Sequence, residues 1–181
     1  MTIGRLIAVV GPSGVGKDSV MAGIYDALPH MHVVRRVITR APGLGGEEYE
    51  AVSVSRFEEM ACAGAFALHW GAHGLFYGVP ADVESRLSEG IDCLTNLSRS
   101  ALAEAAGIFP RFTVLNITAK AETLALRLAS RARETEEEIA KRLTQVDKPL
   151  PEGLDVIHLS NDGPLADTIA RATLLLQPAS A

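Results

Sequence analysis

The sequence predicts an α/β protein, a parallel sheet covered by helices on both faces in three α/β/α layers, and three observations carry that reading. Short apolar runs alternate along the chain with stretches of helical periodicity, the pattern of a sheet buried on both sides. The first apolar run, Leu6 to Val10, leads directly into Gly11-Pro12-Ser13-Gly14-Val15-Gly16-Lys17-Asp18, a glycine-rich turn ahead of a helical pattern. Of the 181 residues 48% are hydrophobic, ample for a packed interior.

Taken in order, strands are expected at residues 6–10, 33–38, 91–97, 113–118 and 156–160, a five-stranded parallel core. Helices are expected near 17–28, 80–89, 100–106, 121–129, 136–146 and 165–176. Two helix starts carry the capping-box spacing, Ser55-Arg56-Phe57-Glu58 and Thr135-Glu136-Glu137-Glu138. The whole reads as one domain, with a core of residues 1–34 and 91–181, an irregular binding insertion at about 35–90 and a lid at about 127–142.

A formal charge of -5 argues against a general nucleic-acid or anionic-membrane surface and favours a small-molecule partner. Residues 1–10 are too short for a signal peptide and lack its cleavage pattern. No apolar run reaches the roughly 18 residues that span a bilayer, so a cytosolic protein is expected. Cys62 and Cys93 stand alone, one in a helical and one in a strand pattern, as small buried hydrophobes do in a reducing compartment. A homodimer is compatible with this reading.

The turn after the first strand has the chemistry of a phosphate loop, G-x-x-x-x-G-K. Gly11, Gly14 and Gly16 let backbone N–H groups approach an anion, the helix start adds partial positive charge, and Lys17 reaches the outer phosphates of a nucleotide. Ser13, Val15, Asp18 and Ser19 complete the nucleotide-binding set. Asp18 stands where a Ser or Thr hydroxyl usually ligates Mg²⁺, and its carboxylate is a suitable hard ligand, directly or through a water. The alternative is that Asp18 only complements the helix dipole.

Arginines cluster in two places. Arg35, Arg36 and Arg40 fall in the insertion with Tyr49, His69, His73 and Tyr77, while Arg127, Arg131, Arg133, Lys141 and Arg142 surround the lid. Arginine suits bidentate phosphate contact, and phosphoryl transfer needs cations around the transferred group, which favours function for Arg131 and Arg142 over solvated surface charge. His69 and His73 have i, i+4 spacing, but Gly71 and Gly74 make a helix there poor and no third ligand presents itself, so zinc is disfavoured. Each histidine is a candidate substrate donor, with a structural role as the alternative. Trp70 and Phe66 read as core of the insertion.

Much of the chain, in order, resembles the guanylate kinase family. The likeness is carried by the phosphate loop, Thr39-Arg40, Tyr49-x-x-Val52-Ser53-Val54-x-x-Phe57, Gly64-x-Phe66, Tyr77-Gly78, Cys93-Leu94-Thr95-Asn96, Arg127-Leu128, Glu134 to Leu143 and Ser160-Asn161-Asp162. The resemblance implies a P-loop nucleoside monophosphate kinase-like fold with ATP and Mg²⁺ as cofactors. It also implies an acceptor phosphate gripped by Arg40, Tyr49 and Tyr77, lid cations Arg131 and Arg142, and Asn161 beside adenine. The departures are pointed. Leu68, Val79 and Ser98 stand where the family reads guanine with Glu, Ser or Thr, and Asp, and Gly43 replaces a second phosphate-binding arginine. Losing designed polar partners costs orders of magnitude in discrimination.

The Gly-Lys-Asp loop, Arg35 to Arg40, Gly45-Gly46-Glu47 and Phe66 to Gly78 are similar to the ribose 1,5-bisphosphate phosphokinases of bacterial phosphonate degradation. That likeness implies transfer of the ATP γ-phosphate to the 1-phosphate of ribose 1,5-bisphosphate, giving 5-phospho-α-D-ribosyl 1-diphosphate and ADP. Two phosphates on a small sugar need cations at both ends, which offers Arg35, Arg36, Arg40 and His69 or His73 something to bind. The alternatives are guanylate kinase activity or another small phosphosugar as acceptor. A catalytically dead interaction module is disfavoured by the presence of Lys17 and the lid arginines.

Overall fold

Every residue of strand β1 (Leu6–Val10) is buried, because it lies in the middle of a five-stranded parallel sheet. The computed structural model describes residues 2–43, 46–130, 140 and 149–177. Helix α1 (Lys17–Ala27) follows β1, and β2 (His32–Val33) forms one edge of the sheet. Strands β7 (Cys93–Asn96) and β8 (Phe112–Thr118) flank β1, with Leu6 opposite both Cys93 and Phe112, and β9 (Val156–Ser160) closes the far edge.

Strand alternation divides the interior in two. Ile7 and Val9 share a core with Val20 and Ile24 of α1, Leu115 of β8 and Ala172 of α6 (Leu165–Leu176). The two helices approach so closely that a Cβ on Gly23 would stand 2.1 Å from Ile169 Cδ1. Leu6, Ala8 and Val10 face the other way, toward Leu102 of α4 (Leu102–Ile108) and toward a second sheet. Helix α5 (Ala121–Ser130) follows β8 and buries Leu124 and Leu128.

The second sheet is ordered β4 (Glu50–Ala51), β3 (Val37–Ile38), β6 (Leu75–Pro80), β5 (Phe66–Ala72). Its inner residues Ile38, Leu68, Trp70, Tyr77 and Val79 belong to the same core as Leu6 and Ala8, joined by Val83 and Leu87 of α3 (Asp82–Ser88). On its outer face Phe66 and Phe76 stack on Phe57 of α2 (Val54–Cys62), with ring centroids 4.7 and 5.7 Å apart. No helix among the described residues is long and apolar enough to cross a membrane. Cys93 is buried, which pushes its thiol up to about 11, while Cys62 is exposed.

The α/β class and the five-stranded parallel core match the sequence reading, and three details differ. The strand expected at 33–38 is two strands: His32 and Val33 pair with β7 in the core sheet, whereas Val37 and Ile38 pair with β4 and β6 in the other. One apolar run crosses between sheets, and periodicity does not reveal where pairing partners change. The first capping box is also misplaced. Ser53, in extended backbone, is the N-cap of α2 and accepts from Arg56 N–H at 3.1 Å, while Ser55 lies inside the helix. The helix expected at 100–106 begins at Leu102, behind a 3₁₀ turn Arg99–Ala101. The second capping box, the helix at 136–146 and most of the lid lie outside the described residues.

Leu115 is fully buried between the central strand and the α1 face. Leu115→Ala should cost about 2–5 kcal/mol, read as a fall in the urea unfolding midpoint; an unchanged midpoint would contradict this placement of the core.

Candidate active site

At the C-terminal end of β1 the chain enters a loop that only glycines allow. Gly14 and Gly16 have φ of 82° and 96°, in the left-handed region. A Cβ on Gly11 would stand 2.5 Å from the carbonyl oxygen of Ile117, so backbone packs on backbone there. Helix α1 starts at Lys17 with Gly16 as its N-cap and no side-chain acceptor for its first N–H groups. A helix N-terminus left open in this way is suited to an anion.

The loop is braced from behind. Asn161 Nδ2 donates to the carbonyl of Val15 at 2.8 Å, and Asn161 Oδ1 accepts from Thr168 Oγ at 2.8 Å. Arg127 reaches the same Val15 carbonyl at 3.3 Å and the Asn161 carbonyl at 2.7 Å. The Asn161 side chain is buried and turned toward the loop, and Arg127, grouped in sequence with the lid, is a strut under the loop.

Lys17 Nζ donates to the carbonyls of Gly11 at 2.9 Å and Pro12 at 3.2 Å, across the loop mouth. Burial lowers its pKa; Asp18 and Glu47 oppose that shift, and Arg36 and Arg99 reinforce it. Asp18 Oδ1 accepts from Asn96 Nδ2 at 3.2 Å, and its Oδ2 would be 3.0 Å from a Cβ on Gly46. Asp18, Asn96, Met21, Tyr25, His32 and Glu47 line part of a cleft of about 590 Å³ between α1, β2 and the loop before β4. Asp18, the carboxylate adjoining the phosphate loop, fits Mg²⁺, which takes few protein ligands and completes its shell with phosphate oxygens and water. Among the described residues no group of three His, Cys, Asp or Glu side chains offers a rival metal site.

The arginines of the insertion are engaged. Arg36, buried, forks onto Glu47 with contacts of 2.7 and 2.5 Å, and its guanidinium lies over Tyr77 at 5.1 Å and Trp70 at 5.9 Å. Trp70 and Tyr77 stack at 5.4 Å with planes 9° apart, and Trp70 Nε1 donates to Ser98 Oγ at 2.8 Å. Arg40 lies over the ring of Tyr49 at 5.4 Å, and the Tyr49 hydroxyl donates to the Ala41 carbonyl. Leu68 and Val79 are 2% and 0% exposed, packed into the shared core.

The histidines fall elsewhere. His69 projects from the outer face of β5 against Phe57 and Phe66, at 6.2 and 6.0 Å, opposite in side to Trp70. His73 is exposed, with φ of 53°, in the turn with Gly74 between Ala72 and Leu75. Alternation along a strand turns neighbours to opposite faces, so the two do not join Arg36 and Tyr77. Ser13 and Ser19 lie in the loop and first turn of α1. Arg131 and Arg142 lie outside the described residues. Sequence reasoning overlooked Asn96, Thr168 and the pairing of Glu47 with Arg36, since each partner is distant in sequence or hidden in a loop.

Residues 3–171 match the guanylate kinase family. The chain is 48% identical to ribose 1,5-bisphosphate phosphokinase PhnN of Ruegeria sp., over 96% of this chain and 92% of that protein. It is 43% identical to the protein of the same name from Rhizobium etli, over 96% and 89%. Among solved structures, guanylate kinase from Anaplasma phagocytophilum superposes with a TM-score of 0.69 at 21% identity, covering 98% of this chain and 86% of that one.

The brace at Val15 makes a specific expectation. Asn161→Ala removes one donor from the Val15 carbonyl and should weaken ATP binding by about tenfold, the scale of one lost hydrogen bond in a positioned site. Calorimetric titration with ATP checks it, and unaltered affinity would mean that Arg127 suffices.

Proposed function

The chain belongs to the guanylate kinase family, and on that premise we propose that it transfers the γ-phosphoryl group of ATP to the 1-phosphate of ribose 1,5-bisphosphate, giving 5-phospho-α-D-ribosyl 1-diphosphate and ADP. The observation that carries this reading is the state of the three positions at which guanylate kinases read their base. Leu68 and Val79 are sealed in the core and Ser98 is bonded to Trp70, so no polar group there meets a purine. The similarity to the two phosphokinases supports the same acceptor.

The chemistry asks little of the protein beyond placement and charge. An oxygen of the acceptor phosphate attacks the γ-phosphorus, the bond from that phosphorus to the ADP oxygen breaks, and a new phosphoanhydride forms. A phosphate monoester is largely ionised near neutral pH, its second pKa being about 6, so no general base is required. The N–H groups of residues 13–19 and Lys17 hold the ATP phosphates, Lys17 exchanging the Gly11 and Pro12 carbonyls for β- and γ-phosphate oxygens. Asp18 is the residue placed to hold Mg²⁺, which when bound with ATP adds positive charge at the phosphate oxygens. Arg40, Tyr49 and Tyr77 grip an acceptor phosphate, Arg36 stands over Tyr77, and Arg131 and Arg142 supply lid cations by family position.

Purified protein incubated with Mg-ATP and either ribose 1,5-bisphosphate or GMP tests the assignment. The expected kcat/KM ratio favours the sugar bisphosphate by on the order of a thousandfold, because several polar readers of the base are missing. Comparable turnover of GMP would return the chain to guanylate kinase activity. Arg40→Ala should raise the acceptor KM by about tenfold or more, the scale of a lost charge-assisted contact, and leave the ATP KM nearly unchanged. A defect confined to ATP would refute the placement of the acceptor.

A further inference from the structure

Asn96 ends β7 opposite Val9 and is 5% exposed. Its Nδ2 donates to Asp18 Oδ1 at 3.2 Å. A carboxylate only accepts, so this bond fixes the amide and turns Oδ1 away. That Oδ1 is buried and has no hydrogen-bond donor among the described residues. A buried amide oxygen left unmatched weakens a fold, and Leu94, two residues earlier and so on the same face of β7, shows that this face packs an apolar side chain readily. Packing alone therefore does not account for an asparagine here.

We propose that Asn96 is a positioning residue: it holds the Asp18 carboxylate facing the cleft, and its own unmatched oxygen is the structural cost of doing so. Asp18 adjoins Lys17 in sequence and acts on it electrostatically. Without the amide, the carboxylate is free to turn to the ammonium group and neutralise the cation intended for phosphate. With it, Oδ1 is occupied and Oδ2 is directed toward Gly46, where the absence of a Cβ leaves room beside the oxygen. The inference rests on the role given to Asp18 in the proposed function.

The test compares wild type, Asn96→Leu, Asp18→Asn and the double variant. Mn²⁺ affinity is read by electron paramagnetic resonance with a non-hydrolysable ATP analogue, and thermal unfolding is read without ligands. Asn96→Leu should weaken Mn²⁺ binding by about tenfold, as loss of a residue that orients a metal ligand does, with an unfolding temperature equal to or above wild type. In the Asp18→Asn background the same change should have no further effect on metal binding. Unchanged Mn²⁺ affinity, or equal losses in both backgrounds together with a lower unfolding temperature, would overturn the proposal. Should Asn96→Leu not fold, Asn96→Ser is measured in the same way and the same results decide. Because no acceptor is present, the outcome is separable from the acceptor's identity. Failure of the wild type to phosphorylate ribose 1,5-bisphosphate would defeat the functional reading alone.

Discussion

A loop that binds phosphate through its own amides has few of them to spare for holding itself in shape, and here only the long 3.3 Å backbone bond from the Val15 N–H to the Pro12 carbonyl closes within it among the described residues. It has to be held by its carbonyls and by contacts from behind, and here the Val15 carbonyl carries that load. Asn161 and Arg127 both donate to it, Thr168 fixes the Asn161 amide, and the backbone of Asn161 is tied to Thr118 at 2.8 Å. These partners come from the end of β8, from α5, from the end of β9 and from α6. The C-terminal half of the chain thus acts as the mould in which the N-terminal loop is set, and the parallel sheet aligns the ends of β1, β8 and β9.

The second sheet follows a different logic. The inner residues of the second sheet are continuous with those of β1 and α4, so its position relative to the phosphate loop is set by core packing. Arg36 is held in that shared interior by a two-point contact with Glu47 and by two aromatic rings. Removing one partner of a buried ion pair typically costs about 3–5 kcal/mol, so Glu47 also fastens the loop before β4 to the sheet. The guanidinium fork matches carboxylate and phosphate alike, and Glu47 occupies on Arg36 the kind of contact that an acceptor phosphate makes.

What was legible in the sequence was local. The loop glycines, Lys17 and the apolar runs of β1 and β8 declare themselves in contiguous residues, and so does the parallel five-stranded class of the core sheet. The misreadings share one cause, which is dependence on partners far along the chain. Val33 and Val37 look like one strand until their neighbours, β7 for one and β6 for the other, are known. His69 and His73 are candidate substrate donors by composition alone, while strand alternation and a left-handed turn place them away from the Arg36 cluster. Asn161 stands in a recognisable Ser-Asn-Asp segment, but its attachment to Val15, 146 positions earlier, has no local signature.

Trp70 is the chain's one tryptophan. Its indole N–H is bonded to Ser98, its ring lies on Tyr77, and a guanidinium sits 5.9 Å from its centre. Indole emission responds to hydrogen bonding at nitrogen and to charge near the ring, and no second indole obscures it. The protein therefore carries a single intrinsic indole fluorophore beside the Arg36 and Glu47 pair. A ligand that shifts Arg36 or loosens Ser98 changes the environment of that single emitter, so binding at the acceptor site proposed for this sheet is open to direct optical titration without label or turnover.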